Sequence, residues 1–239
     1  MSSPQHIAVI LAGGTGSRLG MNVPKAFVPL LGRSLIWHAV SGLVAASSPV
    51  RVIVAVPAGS IEAAQTALDG IVPQPEIVVG GPTRMSSLAK SVDACGVVED
   101  AIVFVHDAAR PVVSLDVASA LLSCMDDPAV DAAIPVTMPT QTAKWLAPEG
   151  QEVVLTLERG RVALAETPQV IRLSRLCEGL VEAARCGFEA PDEASLIERI
   201  GGRVRVVDGG RGNLKVTWPE DVQAAETLMR LTEGGRHGG

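Results

Sequence analysis

The sequence predicts one α/β domain with a mostly parallel sheet and helices on both faces. Three observations lead to this fold class. Short apolar runs alternate with helix-like segments, the runs are continuously apolar, and Gly or Pro ends several of them. Strands that are apolar on both sides are typical of a parallel sheet between two helical layers. With 239 residues and 47% hydrophobic residues, the chain can bury a core as a single domain over residues 1–239.

The alternation of strands and helices can be followed through the first 136 residues. Strands are predicted at residues 6–11, 51–56, 76–79, 101–105 and 132–136, and helices at 34–47, 60–68, 83–95 and 114–125. Ser34 is placed to cap the first helix. Because ligands bind at the carboxyl ends of the strands in such folds, the loops at 12–25, 80–87 and 106–111 are expected to form the functional site.

Residues 137–160 interrupt this pattern, because they mix Thr, Gln, Pro and Gly with one alternating run. The alternation predicts a two-stranded β-arm that protrudes from the body. An isolated hairpin is marginally stable in water, so we expect the arm to pack against a second subunit. Beyond the arm, helices are predicted at 173–185, 192–200 and 219–231, a strand at 203–207, and a flexible tail at 233–239.

Composition and charge argue against several classes of protein. A formal net charge of −6 disfavours a broad nucleic-acid-binding surface. No apolar run approaches the length of a membrane span, and no signal peptide is expected at the start. The four cysteines lack Cys-x-x-Cys spacing and are interpreted as reduced core thiols of a cytoplasmic protein.

The loop after the first strand carries glycines and two cations. Gly13, Gly14 and Gly16 let the backbone approach a polyphosphate, and Arg18 and Lys25 follow within the same segment. The loop has neither the Gly-Lys-Ser/Thr of a P-loop nor the third glycine of a dinucleotide-binding fingerprint. It is interpreted as the site of a triphosphate whose α-phosphate gains charge in the transition state. A tight turn with solvated surface cations is the alternative.

Asp107 follows the buried strand predicted at 101–105. A carboxylate beside a triphosphate is a natural ligand of Mg²⁺, so Asp107 is the candidate metal ligand and Mg²⁺ the expected cofactor. Arg110 is interpreted as a partner of Asp107 or as a phosphate contact, and His106 as a structural residue. The alternative for Asp107 is to cap the turn before Pro111.

Two further segments contain candidate ligand contacts. The loop at 80–87 can bring backbone groups and the Ser87 hydroxyl to the edge of a base, with Arg84 as a structural or phosphate contact. Lys215 lies in an apolar alternation, where a partly buried lysine needs an anionic partner such as a substrate phosphate. An edge strand that carries a protective lysine is the alternative interpretation.

These segments occur in a specific order along the chain. The motifs are Ala12-Gly13-Gly14-Thr15-Gly16-Ser17-Arg18, Pro24-Lys25, Gly80-Gly81-x-x-Arg84-x-x-Ser87, His106-Asp107-Ala108-Ala109-Arg110-Pro111, Thr167-Pro168-Gln169, Asp192-Glu193-Ala194-Ser195 and Asn213-Leu214-Lys215-Val216-Thr217-x-Pro219-Glu220-Asp221. Over about residues 6–231 the chain resembles the 2-C-methyl-D-erythritol 4-phosphate cytidylyltransferases, enzymes of the non-mevalonate isoprenoid pathway that use CTP. The first motif is shared with many sugar-nucleotide pyrophosphorylases, whereas the histidine-containing motif together with Thr-Pro-Gln is far more specific.

The resemblance implies a Rossmann-like fold of the nucleotide-diphospho-sugar transferase type, a homodimer with an exchanged arm, and Mg²⁺ at Asp107. The implied reaction joins CTP to 2-C-methyl-D-erythritol 4-phosphate, a small polyol phosphate, and releases pyrophosphate. Its implied catalytic residues are Arg18, Lys25 and Lys215. The implied nucleotide-binding residues are Ala12, Gly13, Gly14, Gly16, Gly81, Ser87 and Ala108. The implied acceptor-binding residues are Arg110, Thr142, Arg159 and Thr167, with Arg159 reaching the substrate of the neighbouring subunit.

The departures from the family pattern lie mostly on the acceptor side. Pro191 stands where the family usually has threonine, and the arm segment at 135–144 contains an insertion, with Thr142 aligned to the family threonine. The acceptor therefore stays open between methylerythritol phosphate and another polyol phosphate such as ribitol 5-phosphate. The residues are also compatible with a pyrophosphorylase that uses UTP or GTP, and with a non-catalytic nucleotide-binding homologue.

Overall fold

The computed structural model describes residues 4–14, 16–20, 23–96, 98 and 100–235. The strands in these residues are β1 (His6–Leu11), β2 (Pro29–Leu30), β3 (Arg33–Ser34), β4 (Arg51–Val56), β5 (Glu76–Val79), β6 (Ile102–Asp107), β7 (Ala132–Thr137), β8 (Lys144–Leu146), β9 (Val153–Thr156), β10 (Leu164–Ala165), β11 (Gln169–Arg172) and β12 (Val204–Asp208). The α-helices are α1 (Leu35–Ser47), α2 (Ile61–Ala67), α3 (Arg84–Cys95), α4 (Leu115–Met125), α5 (Leu173–Cys186), α6 (Glu193–Arg199) and α7 (Pro219–Gly235). Short 3-10 helices lie at Ser17–Leu19, Lys25–Phe27 and Arg159–Arg161.

A mixed, mostly parallel sheet forms the centre of the molecule. The strands β5, β4, β1 and β6 are consecutive and parallel. The sheet continues through β11, which is antiparallel to both β6 and β7, and β12 is parallel to β7. The short strand β10 also pairs with β7. This architecture confirms the predicted α/β fold class.

Both faces of the sheet are covered by helices. Along β1, Ala8 and Ile10 pack in an apolar cluster with residues of α1, α2 and α4. Ile7 and Val9 point the other way and pack in a second cluster with residues of α3, α5 and α6. All four side chains are fully buried, which explains why the first strand is continuously apolar rather than alternating.

The predicted helices form where their capping residues indicate. The side chain of Ser34 accepts a hydrogen bond from the Trp37 N–H at the start of α1. Thr83 and Asp192 cap α3 and α6 in the same manner, each within a reciprocal capping box. The last helix continues to Gly235, four residues beyond the predicted end. The first part of the predicted tail at 233–239 is thus helical, and residues 236–239 lie outside the described residues.

The structure extends one predicted strand and adds β11, as well as the two-residue strands β2, β3 and β10. β6 extends to Asp107, two residues beyond the predicted end, because His106 and Asp107 continue the pairing with Ile10 and Leu11 of β1. Both residues are buried although their side chains are polar. The strand β11 was not predicted at all. It has four residues and continues directly into α5, so its apolar run is too short to show strand periodicity.

The segment at 213–217 is not a strand, so the edge-strand interpretation of Lys215 is wrong. The segment has no regular secondary structure. Val216 is fully buried, and its N–H donates to the carbonyl oxygen of Ala109 at 2.8 Å. This contact fixes Lys215 beside the end of β6.

The residues at 144–156 form the two-stranded arm that the sequence predicts. β8 and β9 pair in antiparallel register, with Trp145 opposite Leu155. Every residue of these two strands is exposed, and the large apolar ones among them are Trp145, Leu146, Val153, Val154 and Leu155. No helix in the described part of the chain is both long and apolar enough to cross a membrane.

Candidate active site

The loops that follow the parallel strands meet at one edge of the sheet and enclose a cavity. Leu11, the last residue of β1, pairs with Ala55 of β4 and Asp107 of β6, so the three strands end at the same level. The cavity at this edge has a volume of about 350 Å³. The predicted site residues that line it are Ala12, Gly13, Gly14, Gly16, Arg18, Lys25, Gly81, Ser87, Asp107, Ala108 and Lys215.

Gly16 packs the first loop closely against Lys25. Its φ of +73° lies in the left-handed region, and a Cβ at this position would lie 3.1 Å from both the Cβ and the backbone nitrogen of Lys25. The close approach brings both halves of the segment at 12–25 to the cavity. Thr15 of this loop lies outside the described residues.

The loop at 80–87 is closed by the buried side chain of Ser87. Its hydroxyl oxygen accepts the N–H of Gly81 at 3.0 Å and donates to the carbonyl of Thr83 at 2.9 Å. A Cβ on Gly81 would overlap the side chain of Ser86, so the loop requires glycine there. Gly81 and Ser87 both line the cavity, where the sequence predicted contacts with a base.

Asp107 lies at the floor of the cavity between two cations. Its Oδ1 accepts hydrogen bonds from Nε and Nη2 of Arg84 at 3.3 Å and 3.2 Å, and its Oδ2 accepts from Nζ of Lys215 at 2.7 Å. Burial alone would raise the pKa of Asp107, but Arg84 and Lys215 lower it far below its usual range. The carboxylate is therefore ionised at any physiological pH. Lys215 therefore has the anionic partner that its partly buried position requires. That partner is Asp107 of the protein itself rather than a substrate phosphate.

Arg84 connects Asp107 to Glu193, a residue whose role the sequence did not reveal. Nη1 of Arg84 donates to Oε1 of Glu193 at 2.5 Å, and Nη2 donates to Oε2 at 3.1 Å. Glu193 is fully buried, and burial raises its pKa while Arg84 opposes the rise. The only sequence signal is an acidic residue in the first turn of α6. Arg84 lies 109 residues away, so periodicity and spacing cannot indicate the pair.

Four cations line the cavity: Arg84 and Lys215, which contact Asp107, together with Arg18 and Lys25. Burial, followed by repulsion from Lys215 and Arg18, lowers the pKa of Lys25 to about 8. The guanidinium of Arg18 lies 5.7 Å from the ring centre of Trp218, within the range of a cation–π contact. Such a cluster of like charges favours an anionic ligand, because an anion relieves their mutual repulsion.

Of the two interpretations of Arg110, the pairing with Asp107 is wrong, and the phosphate contact stays a prediction. Arg110 Nη1 instead donates to the carbonyl oxygen of Asn213 at 2.6 Å. Arg84 reaches Asp107 from α3 and Lys215 reaches it from the opposite side, so both carboxylate oxygens are occupied. Within the described residues, the buried Nε of Arg110 has no hydrogen-bond partner.

Thr167 supports the end of β6 rather than lining the cavity. Its oxygen accepts the Asp107 N–H at 3.1 Å, and it lies 3.0 Å from Nδ1 of His106. Since the carbonyl of Arg110 can only accept, Nε2 of His106 carries the hydrogen and Nδ1 accepts from the Thr167 hydroxyl. Burial lowers the pKa of His106 to about 4, so the ring is neutral and plays the predicted structural role.

The remaining predicted acceptor residues, Thr142 and Arg159, belong to the arm region. Both side chains are exposed, and neither lines the cavity. Arg159 Nη1 donates to the carbonyl oxygen of Thr140 at 3.1 Å. Within one described chain, therefore, the nucleotide-side residues come together, whereas Arg110, Thr142, Arg159 and Thr167 lie outside the cavity.

A mostly parallel sheet that carries a glycine loop, four cations and an ionised aspartate at its carboxyl edge is typical of one class of protein, the nucleotidyltransferases of Rossmann-like fold. Comparison with known families confirms the class and specifies it. The chain belongs to the family IspD, 2-C-methyl-D-erythritol 4-phosphate cytidylyltransferase, whose model matches residues 6–231.

Individual relatives resemble the chain over most of its length. The chain is 35% identical over 233 residues to 2-C-methyl-D-erythritol 4-phosphate cytidylyltransferase of Bordetella pertussis (strain Tohama I), covering 95% of this chain and 100% of the relative. It is 38% identical over 223 residues to that of Symbiobacterium thermophilum, with 92% and 91% covered. The solved structure of the Thermus thermophilus enzyme is 30% identical, with a TM-score of 0.72 and 95% and 100% covered. That of Francisella tularensis is 26% identical, with a TM-score of 0.79 and 94% and 99% covered.

Proposed function

We propose that the chain transfers a cytidylyl group from CTP to 2-C-methyl-D-erythritol 4-phosphate and releases pyrophosphate, as a step in isoprenoid precursor synthesis. The observation that carries this proposal is one cavity in which a glycine loop, four cations and an ionised Asp107 meet. The relatives named above carry this activity in their names. The expected core position of the cysteines is wrong for Cys177 and Cys186, which are exposed, but all four are free thiols and fit a reducing cytoplasm as the location.

The proposed chemical step needs cations more than it needs a base. The acceptor's phosphate oxygen is already anionic when it attacks the α-phosphorus of CTP, so no proton has to be removed. Negative charge accumulates on the α-phosphate and the leaving pyrophosphate. Arg18, Lys25 and Lys215 line the cavity and would stabilise this charge. His106 is neutral and engaged at both ring nitrogens, which agrees with a mechanism without general base.

Mg²⁺ is the proposed cofactor, and the donors at the site fit it. Mg²⁺ prefers oxygen ligands and is usually bound by one or two carboxylates together with substrate phosphates and water. Asp107 is ionised and lines the cavity. Among the residues that the structure describes, no group of three or more His, Cys, Asp or Glu side chains forms a complete metal site. Asp107 is the acidic residue among those that line the cavity and would hold the ion, which would neutralise charge on the triphosphate.

A homodimer is the proposed assembly. The arm exposes the apolar side chains of Trp145 and Leu155, of which 60% and 46% are accessible. A contiguous exposed apolar surface on a hairpin is unfavourable in water and is typical of a subunit interface. The same region carries Thr142 and Arg159 outside the cavity of their own chain. Both facts fit an arm that completes the acceptor site of the partner subunit.

An assay of pyrophosphate release tests the activity directly. With CTP and Mg²⁺, we expect methylerythritol phosphate to give a kcat/KM at least about tenfold above that of ribitol 5-phosphate, since a polar acceptor pocket discriminates between polyols. A higher kcat/KM for ribitol 5-phosphate would show that ribitol 5-phosphate is the preferred acceptor. Turnover with UTP or GTP in place of CTP would indicate another pyrophosphorylase. CTP binding without turnover on any acceptor would indicate a non-catalytic homologue.

The lowered pKa of Lys25 predicts a basic limb in the pH profile. The protonated amine binds the triphosphate, so kcat/KM for CTP is expected to fall as pH rises through about 8. Arginine stays protonated in this range, so Lys25→Arg should shift the basic limb upward even if its maximal rate is lower. Initial rates between about pH 7 and 9 measure this. An identical basic limb in both proteins would show that another group titrates.

A further inference from the structure

Glu193 is a fully buried carboxylate that the reaction proposed above does not use. Its partner is Arg84, which contacts both of its oxygens. A buried ion pair is often no more stable than apolar side chains of the same volume, so fold stability alone is a weak reason for one. The chemical environment of Arg84 suggests a more specific role.

Arg84 is shared unequally between two carboxylates. Its shortest bond to Glu193 is 2.5 Å, whereas its bonds to Oδ1 of Asp107 are 3.2 Å and 3.3 Å. An arginine that pairs with a single carboxylate usually forms two parallel bonds of about 2.7–2.9 Å. Glu193 thus holds the guanidinium where its bonds to Asp107 are long and weak.

Glu193 is itself held firmly at the start of α6. Asp192 caps the helix by accepting the Ser195 N–H at 3.0 Å. Gln169 of β11 accepts the Ala194 N–H at 2.8 Å and donates to Asp192 at 3.0 Å. Because β11 pairs directly with β6, these bonds tie Glu193 to the strand that carries Asp107. The three charged groups therefore keep a fixed relative position.

We propose that Glu193 is a positioning residue that acts through Arg84 and keeps the carboxylate of Asp107 available to Mg²⁺. Without the charge of Glu193, Arg84 would close on Asp107 and compete with a divalent cation for Oδ1. Lys215 already binds Oδ2 at 2.7 Å, so Oδ1 is the oxygen whose availability Glu193 controls. This inference rests on the proposed function, because it assumes that Mg²⁺ and CTP bind at Asp107.

The test compares CTP affinity with and without Mg²⁺ in the absence of any acceptor, by isothermal titration calorimetry. The ratio of the two dissociation constants, here called the magnesium gain, measures the coupling between the ion and the nucleotide. Glu193→Gln keeps the size of the side chain and removes its charge. We expect it to reduce the magnesium gain by about tenfold, while the dissociation constant of CTP without Mg²⁺ stays within about threefold of the wild-type value.

Two further variants separate this role from a structural one. Glu189→Gln makes the same change at an exposed position four residues earlier and should leave the magnesium gain unchanged. Combining Arg84→Gln with Glu193→Gln removes the competing guanidinium and should restore the gain to within about threefold of wild type. A purely structural effect would instead persist or worsen in the double variant.

Each outcome decides a different claim. A wild-type magnesium gain in Glu193→Gln overturns the inference, and so does a loss of CTP affinity that is equal with and without Mg²⁺. Absence of any gain in the wild-type protein would instead overturn the proposed magnesium site. If circular dichroism shows that Glu193→Gln does not fold, Glu193→Asp replaces it. Its shorter side chain withdraws from Arg84, so the gain should be reduced in part, and an unreduced gain rejects the inference.

Discussion

Replacing Lys25 or Lys215 by alanine is expected to lower kcat by at least about 10²-fold, the usual cost of removing one charged contact to a transition state. Both side chains line the cavity. Because the proposed step uses no general base, its rate depends on the cations that stabilise the developing negative charge. Lys215→Ala should have a second effect, because Asp107 loses its 2.7 Å partner and is left with Arg84 alone. Steady-state rates at saturating CTP, acceptor and Mg²⁺ measure the change.

Arg185→Ala is the matched control for charge. Arg185 is an exposed cation on α5 that pairs with Glu182 and lies outside the cavity lining. Its removal changes the net charge of the protein by the same amount as either lysine variant and should leave kcat within about twofold of wild type. If both lysine variants kept rates near wild type, the proposal that these two residues stabilise the transition state would be wrong.

Leu155→Asp is expected to convert the proposed dimer into a monomer and to lower kcat/KM for the acceptor by at least about tenfold, since a buried unpaired charge is strongly unfavourable. Leu155 lies opposite Trp145 in the centre of the arm. No residue of β8 or β9 lines the cavity of its own chain, so CTP binding should remain within about threefold of wild type. Light scattering after size-exclusion chromatography gives the oligomeric state, and calorimetry gives CTP affinity.

Val181→Asp provides the matched control for this variant. Val181 is 71% exposed on α5, so the same kind of substitution there should alter neither assembly nor activity. A Leu155→Asp protein that remains dimeric, or a monomer with full activity towards the acceptor, would contradict the role proposed for the arm.

The sequence was most informative where a pattern is local. Buried strands such as β1 are continuously apolar, and helices such as α1 begin at a serine cap, so both can be recognised from neighbouring residues. The loops of the cavity follow from the same information, because strand ends in a parallel sheet meet at one edge. The strand β11 could not be predicted, because its four residues are too few to show the two-residue periodicity of a strand.

The partners of the charged residues could not be predicted in this way. Asp107 and Arg110 are close in sequence, yet Asp107 pairs with Arg84 and Lys215, which lie 23 and 108 residues away. The roles of Glu193 and Thr167 likewise depend on contacts between distant segments. Hydrogen bonds across the fold are determined by tertiary packing, and a single sequence contains no periodic signal for them.

The position of Trp218 beside Arg18 also has a practical consequence. The chain contains three tryptophans and no tyrosine, so its intrinsic ultraviolet emission arises almost entirely from indole rings. Trp218 lies beside the guanidinium of Arg18, which lines the cavity, and Trp145 lies on the exposed arm. The third tryptophan, Trp37, lies on α1, so the unlabelled protein contains one natural optical reporter in each of three regions. Single Trp→Phe replacements can assign the signal to each.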